Sequence, residues 1–210
     1  MVRPKQSEQH PDLQAAIKET ARTQIAENGA ATLSLRAIAR ELKITAPAIY
    51  NYFPSRDDLV TALIVDAYNS LRDAILTSQA TAEVSQTERI LESARAYRGW
   101  ARAHPEEYSL IFGTPIPNYH APMEITGPAA AGSMAAIISV FDTAWRAGAL
   151  NIEGILTETP EMIQTWIDKF EYSGPPEIIQ ITMASWAQIH GIVSLELNGH
   201  YTAFSEEVTI

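Results

Sequence analysis

The 210-residue sequence contains no cysteine. This absence excludes disulfide bonds, thiolate zinc sites and thiol catalysis, and it suits a reducing compartment such as the cytosol. Long apolar runs are also lacking. The most apolar stretch, 129–141, is ended by Asp142 and is far shorter than the roughly 20 residues that span a bilayer. The first 14 residues have no apolar segment of the kind a signal peptide needs. We therefore expect a soluble, cytoplasmic protein without a membrane partner.

Positive charge is scarce and unevenly placed. The chain has a formal net charge of −10, yet residues 1–56 carry +3 and the remaining residues carry −13. Apolar residues make up 46% of the chain, which is enough for a substantial core. A basic N-terminal segment can bind phosphate, while an acidic remainder is repelled by it. This distribution favours a nucleic-acid partner for residues 1–56 alone.

The apolar periodicity is helical in most segments, and no segment requires a strand. We predict an all-α fold of about nine helices. Residues 1–56 would form a three-helix, helix-turn-helix domain, and residues 57–210 a larger helical domain for effector binding and dimerisation. The loop 113–127 is expected to be irregular because it holds three prolines and two glycines.

The N-terminal helices have clear boundary signals. Gly29 stops the first helix in a left-handed conformation, and Ser34 is a natural N-cap for a second helix of about two turns. Thr45 would cap a third helix of about seven residues, with Pro47 in its first turn and Pro54 after its end. Two short helices that follow a longer supporting helix have the layout of a helix-turn-helix.

The third predicted helix carries side chains suited to a DNA groove. Its buried residues leave Ala46, Pro47, Tyr50, Asn51 and Tyr52 for the outer side. Small apolar groups can pack on a thymine methyl, hydroxyls can donate to phosphate, and an amide can reach a base edge. A three-helix unit with exposed aromatic side chains would also suit a protein-interaction module, and the pattern alone leaves both functions open.

The segment 17–60, IKETARTQIAENGAATLSLRAIARELKITAPAIYNYFPSRDDLV, resembles the DNA-binding domain of the tetracycline-repressor (TetR) family. The resemblance implies two groups of contacts. The phosphate contacts would be Ser34, Thr45, Tyr50, Tyr52 and Arg56. The groove-facing residues would be Arg36, Ala46, Pro47 and Asn51. The sequence departs from the family pattern at Lys43, where glycine is usual, and at Tyr52, where histidine is commoner. A non-glycine residue at position 43 would have to adopt a positive φ.

A second resemblance concerns the larger domain. WAQIHGIVSLELNGH, with Trp186, His190 and Gly191, is similar to the signature of the subgroup named for its W-HG motif, and YRGWARAHPEEYSLIFG also resembles that subgroup. In this family the larger domain binds a ligand and forms the dimer. The ninth predicted helix is apolar nearly all round, so a second copy of the chain would cover one side of it. Such a homodimer would read a palindromic double-stranded operator.

The seventh predicted helix, from Pro128 to Ala147, begins with a run of small residues. These residues either allow tight helix packing or line a cavity. Candidate ligand-binding residues for an unknown small apolar effector are Tyr108, Phe112, Met123, Met134, Phe141, Trp186 and His190. His190 would hydrogen-bond either a backbone carbonyl in the core or the ligand.

Chemistry other than DNA binding has little support in the sequence. Glu196 and His200 could form half a metal site, but no third ligand stands at a suitable spacing, and we predict neither a metal nor a cofactor. An enzyme would use His104, His190 or Glu196 as acid or base, yet no nucleophile–base pair or phosphate loop is present. The sequence therefore favours a repressor released from its operator by a ligand. The alternatives are a DNA-binding regulator without a small ligand and an enzyme on a helical scaffold.

Overall fold

The computed structural model describes residues 11–80, 85–155 and 158–201, and within these ranges the fold is all-helical, as predicted. The nine α-helices of the described residues are α1 (Pro11–Asn28), α2 (Leu35–Glu41), α3 (Ala46–Tyr50), α4 (Arg56–Gln79), α5 (Gln86–Ala103), α6 (Pro105–Phe112), α7 (Met123–Arg146), α8 (Glu161–Phe170) and α9 (Pro176–Leu197). The polar composition of segment 77–87 predicts a loop. Helix α4 ends within this segment at Gln79 and α5 begins within it at Gln86, while residues 81–84 lie outside the described ranges.

The helices form two compact units. The first consists of the described residues of Met1–Tyr68 and His104–Ala130, and the second of those of Asn69–Ala103 and Ala131–Ile210. The first unit is thus larger than the segment 1–56, because α6 and the loop after it belong to it. The functional division at residue 56 remains a prediction.

The core of the first unit is formed by aliphatic side chains of α1 to α4. Ile17, Ile38, Ile49 and Leu59 are fully buried in it, and Phe53 is 3% exposed. Partly buried side chains from α6 and the following loop pack against the same core: Leu110, Ile111, Ile116 and Tyr119. This core fixes α2 and α3 by their inner faces and leaves their outer faces to solvent.

Turn chemistry explains how α1 to α3 are connected. The backbone N–H of Ala37 donates to Ser34 Oγ over 3.4 Å, so Ser34 is the N-cap that the sequence predicts. Lys43 has φ 55°, the positive value that the family resemblance implied for this position. Gly29 has φ 79° with ψ 155°, an extended mirror conformation rather than the left-handed helical one. A 3₁₀ turn, Ala30–Thr32, follows it and was not predicted.

Two predicted boundaries were wrong. Helix α3 has five residues rather than seven, because its C-cap is already Asn51. Helix α7 begins at Met123 rather than Pro128, so the irregular loop is shorter than expected. Pro128 lies within the second turn, where its missing N–H removes a single helical hydrogen bond. The turn before it is held by Pro122, whose carbonyl accepts from the N–H groups of Ile125 and Thr126 at 2.9 Å each.

In the second unit, parts of α7, α8 and α9 enclose a core that contains Phe141, Ile163, Ile178 and Ile179. Helices α7 and α9 are long and apolar enough to cross a membrane by length and composition, with mean hydropathies of 1.3 and 1.2. Core helices of soluble proteins meet the same criterion. Only 22% of the apolar window of α9 is buried in the described protomer, so much of its surface is left uncovered.

Candidate nucleic-acid interface

Helix α3 has one buried side and one exposed side. Ile49 is fully buried and Ala48 is 6% exposed, which fixes the helix against the core. Pro47, Tyr50 and Asn51 lie on the other side and are exposed, with Tyr50 at 44%. The prediction of outward-facing residues was therefore correct for Pro47, Tyr50 and Asn51, whereas Ala46 is half-buried and Tyr52 packs against the core.

Basic side chains accompany this surface. Arg36 and Arg40 are exposed on α2, and Lys43 is exposed in the turn. None of the three has a salt bridge to any described residue. Our sequence reasoning assigned a role to Arg36 but missed Arg40, although the spacing of four residues places both on one helix face. The three cations give the exposed side of the helix-turn-helix a positive charge suited to phosphate.

The N-cap residues of α2 and α3, Ser34 and Thr45, each carry a hydroxyl group. Ser34 Oγ accepts its capping bond, which leaves the hydroxyl proton available to donate. Thr45 is the N-cap of α3 and is exposed, but its side chain makes no capping hydrogen bond. Ala46 is half-buried beside it. Both hydroxyls can therefore donate to a phosphate oxygen.

Two further predicted phosphate contacts, Tyr52 and Arg56, interact with other parts of the protein. The Tyr52 hydroxyl oxygen is buried and has no hydrogen-bond partner in the described part of the chain, because the ring packs against the core of the first unit. The Arg56 guanidinium donates from Nη2 to the Ala30 carbonyl at 2.8 Å, and its Nη1 lies 3.2 Å from Asp57 Oδ1. In this conformation Arg56 links the start of α4 to the 3₁₀ turn, and its side chain is 26% exposed.

The seven predicted ligand-binding residues do not form one cluster. Three of them belong to the first compact unit: Tyr108, Phe112 and Met123. Tyr108 and Phe112 pack edge-to-face at 5.2 Å, whereas Met123 is 65% exposed. The other four belong to the second unit: Met134, Phe141, Trp186 and His190. There Phe141 is in the core and the partly buried Met134 packs against it, while the ring centroids of Trp186 and His190 lie 5.2 Å apart.

The second unit contains an open groove of about 400 Å³ between α7 and α8. Its α7 wall includes small residues of the run that the sequence singled out: Ala131, Gly132 and Ala135. Trp166 and Phe170, whose rings lie 4.7 Å apart, form the opposite wall. None of the seven predicted ligand-binding residues lines this groove. Sequence reasoning missed its aromatic wall because α8 carried no signal apart from its amphipathic pattern.

A polar pair lies in the wall of the same groove. The Tyr172 hydroxyl donates to Asp142 Oδ1 at 2.9 Å, and Arg146 Nε lies 2.6 Å from Asp142 Oδ2. Burial, followed by the hydrogen bond to Asp142, raises the pKa of Tyr172. The hydroxyl therefore stays protonated at neutral pH, and the carboxylate is compensated by two partners.

His190 and Glu196 on α9 both form hydrogen bonds with side chains of α5. His190 Nδ1 lies 3.0 Å from the Tyr97 hydroxyl, a side-chain partner where the sequence suggested a backbone carbonyl or a ligand. Burial lowers the pKa of His190, so the imidazole is neutral at neutral pH. Arg98 donates from Nε and Nη2 to the two oxygens of Glu196, each at 2.7 Å, and this hydrogen bonding lowers the pKa of that carboxyl.

Comparison with known protein families matches both parts of the chain. Residues 17–63 match the bacterial regulatory proteins of the tetR family, and residues 90–209 match the tetracyclin repressor-like C-terminal domain. An HTH-type transcriptional regulator of Mycobacterium tuberculosis is 35% identical over 206 residues, covering 95% of this chain and 86% of the relative. An HTH-type transcriptional regulator of Mycobacterium bovis gives the same values.

Solved structures support the same assignment. The regulatory protein SCO4313 superposes with a TM-score of 0.76 and 33% identity, and the match covers 97% of this chain and 92% of that one. A Rhodococcus protein of unknown function shares the fold, with a TM-score of 0.70 and 24% identity over 93% of this chain and 88% of its own. Proteins of this family are DNA-binding regulators, not enzymes, and they act as dimers. The chain therefore belongs to the TetR family of bacterial transcription regulators, and the outer face of its helix-turn-helix is exposed and basic.

Proposed function

We propose that this regulator is a cytoplasmic homodimeric repressor that binds a palindromic operator and is released by a small apolar ligand. The observation that carries the DNA-binding part is the exposed row of Pro47, Tyr50 and Asn51 on a helix that Ile49 anchors in the core. A short helix fixed on one side and exposed on the other can enter the major groove without rearrangement.

The contacts with DNA are divided by chemistry. Arg36 and Asn51 would read base edges, and Ala46 and Pro47 would pack against thymine methyl groups. Hydroxyl groups would donate to phosphates from Ser34, Thr45 and Tyr50. The family resemblance implies that Tyr52 and Arg56 also contact phosphates. To do so, Tyr52 would have to leave the core against which it packs, and Arg56 would have to release the carbonyl of Ala30. We therefore assign Arg56 an indirect part, in which it positions α4 against the 3₁₀ turn.

The dimer would be formed through the uncovered side of α9. Ala184, Gln188 and Leu195 are exposed at helical spacing, and a Cβ added at Gly191 would meet no atom within 4 Å. Small residues at such a crossing allow two helices to approach closely, and burying this apolar surface favours association. Two copies would then present two helix-turn-helix units to half-sites about one helical turn apart, roughly 34 Å.

The effector would bind in the second unit, where the chain also resembles the W-HG subgroup. The groove between α7 and α8 supports a small ligand, because Trp166 and Phe170 offer flat apolar surface and Ala135 leaves room beside them. The three subgroup residues lie on α9, where Trp186 contacts His190 and precedes Gly191. A regulator that binds DNA without any small ligand is the competing function, since an open groove between helices can also be covered by protein.

Filling the groove tests the ligand-binding part. Ala135 is exposed, so Ala135→Leu and Ala135→Phe should keep the melting temperature within a few degrees of the wild type. Both variants should bind operator normally and lose the response to any effector found by a thermal-shift screen, whereas Ala135→Ser should keep it. An effector response that survives in Ala135→Phe would exclude this groove as the site. A screen that finds no stabilising compound would favour the regulator without a ligand.

A further inference from the structure

The first compact unit contains a second cleft, which is lined in part by α1, the first helix of the DNA-binding domain. Its volume is about 590 Å³, and most of its lining surface is apolar. One wall comes from the end of α1 and the 3₁₀ turn, and includes Ile25 and Ala26. The other comes from α6 and the loop after it, and includes Leu110 and Ile116. This space is large enough for a small organic molecule.

The walls of the cleft are rigid. Three of its lining residues are prolines, Pro105, Pro115 and Pro117, and each has a fixed φ. The loop is fastened to α4 by the Tyr119 hydroxyl, which lies 2.9 Å from Thr61 Oγ1, and Tyr119 also packs against the core of the unit. A preformed apolar cleft loses little conformational entropy when a ligand fills it.

The charge of the cleft selects among apolar ligands. Glu106, in the first turn of α6, is the one ionisable residue of its lining, and its carboxylate has no hydrogen-bond or salt-bridge partner among the described residues. Hydroxyl groups of Ser109 and Thr114 add hydrogen-bonding capacity. A ligand with an apolar body and a cationic head would place its charge on Glu106. An anionic ligand would be repelled and would find no cation in the lining.

The cleft borders a contact that organises the helix-turn-helix. Ala30 and Ala31 line it, and their carbonyl oxygens accept hydrogen bonds from Arg56 Nη2 at 2.8 and 3.4 Å. A molecule in the cleft therefore contacts the segment that Arg56 uses to hold α4 against the end of α1. Binding there would act on the DNA-binding unit without involving the second compact unit.

We propose that this cleft is a binding site for small hydrophobic amines, separate from the effector groove between α7 and α8. The site does not depend on the proposed repressor function, because its ligand is defined by the lining of the first unit alone. Its occupancy would change operator affinity through the 3₁₀ turn.

The test uses three probes of equal chain length: octylamine, octanol and octanoate, each kept below its self-association concentration. Methyl NMR of the full-length protein would follow Ile25 and Ile116 in the cleft and Ile178 in the core of the second unit. We expect octylamine to shift the Ile25 and Ile116 signals saturably and to leave Ile178 unchanged. Octanoate should bind at least ten-fold more weakly, with octanol between them.

Two variants separate the charge from the cavity. Glu106→Gln should reduce octylamine affinity to that of octanol. The control Glu161→Gln, which removes an exposed carboxylate from the first turn of another helix, should not. The double variant Ala26→Leu/Ser109→Leu should abolish the shifts, and because both positions are exposed the fold should persist. Equal binding of octanoate, equal shifts at Ile178, or full binding by the double variant would each overturn the proposal. Failure of operator binding in all these proteins would count against the proposed repressor and not against the cleft.

Discussion

Arg22 on α1 and Glu107 on α6 are 85 positions apart in the sequence, yet Arg22 Nε lies 2.6 Å from Glu107 Oε1. The same guanidinium reaches Asp66 on α4 at 3.1 Å, and Lys18 Nζ lies 2.8 Å from that aspartate. The Glu107 side chain is only 8% exposed, so its charge depends on Arg22 for compensation. This network joins α1, α4 and α6 within the first compact unit.

Removal of Arg22 should destabilise the first unit. Arg22→Leu leaves Glu107 buried without its closest cation, and we expect a loss of about 2 kcal/mol in the free energy of unfolding. Adding Glu107→Gln should recover about half of that loss. Urea denaturation of the two single variants and the double variant gives the coupling energy. A loss below about 0.5 kcal/mol for Arg22→Leu would place the pair among weak surface bridges.

Lys43 adopts φ 55°, a conformation that costs a lysine more than a glycine. Lys43→Gly should therefore stabilise the protein by roughly 0.5–1 kcal/mol, while it removes a cation from the DNA-binding face. Operator affinity should fall at low salt, and the salt dependence of binding should become shallower. Lys43→Asn is the control, since asparagine tolerates the backbone better than lysine and also lacks the charge. A lower melting temperature for Lys43→Gly would contradict the assignment of strain.

Gly191 provides a test of the dimer face. Gly191→Arg meets open space within the protomer, so the variant should fold, but two opposed arginines at a helix crossing should separate the dimer. Gly99→Arg is the control, because Gly99 is also a helical glycine in open space. Sedimentation velocity should show a monomer for the first variant and a dimer for the second. A dimer in both would move the interface away from this part of α9.

Acid should destabilise the folded protein through the protonation of His190. Burial lowers the pKa of His190 from its ordinary value of 6.5, so the unfolded chain takes up a proton at a pH where the folded protein resists it. The contribution of neutral His190 to the free energy of unfolding is therefore fully present well above pH 6.5 and is lost as the pH falls below that value. His190→Gln should lose less stability than the wild type between pH 7.5 and 5.5, measured by urea denaturation. Identical pH profiles would show that His190 has no part in the acid response.

The sequence was sufficient where the determining signals are local. The Ser34 cap and the exposed side of α3 follow from capping and periodicity within a few residues, whereas the positive φ of Lys43 was implied by the resemblance to the TetR family. The groove and the cleft could not be predicted in this way, because their walls come from segments far apart in the chain. Trp166 faces Ala135 only through the packing of α7 against α8, and Glu107 meets Arg22 only through that of α6 against α1. Arg56 shows a further limit, since the family position implied a phosphate contact and could not reveal the nearby carbonyl of Ala30.

Selection of bound sequences from random double-stranded DNA tests the proposed operator recognition most directly. Wild-type protein should enrich an inverted repeat with half-site centres about one helical turn apart, roughly 34 Å. Tyr50→Phe should enrich the same sequence with lower affinity, as expected for a phosphate contact, whereas Asn51→Ala should lose preference at one base pair in each half-site. An asymmetric site, or a changed preference for Tyr50→Phe at unchanged affinity, would contradict the proposed recognition of DNA by α3 of a symmetric dimer.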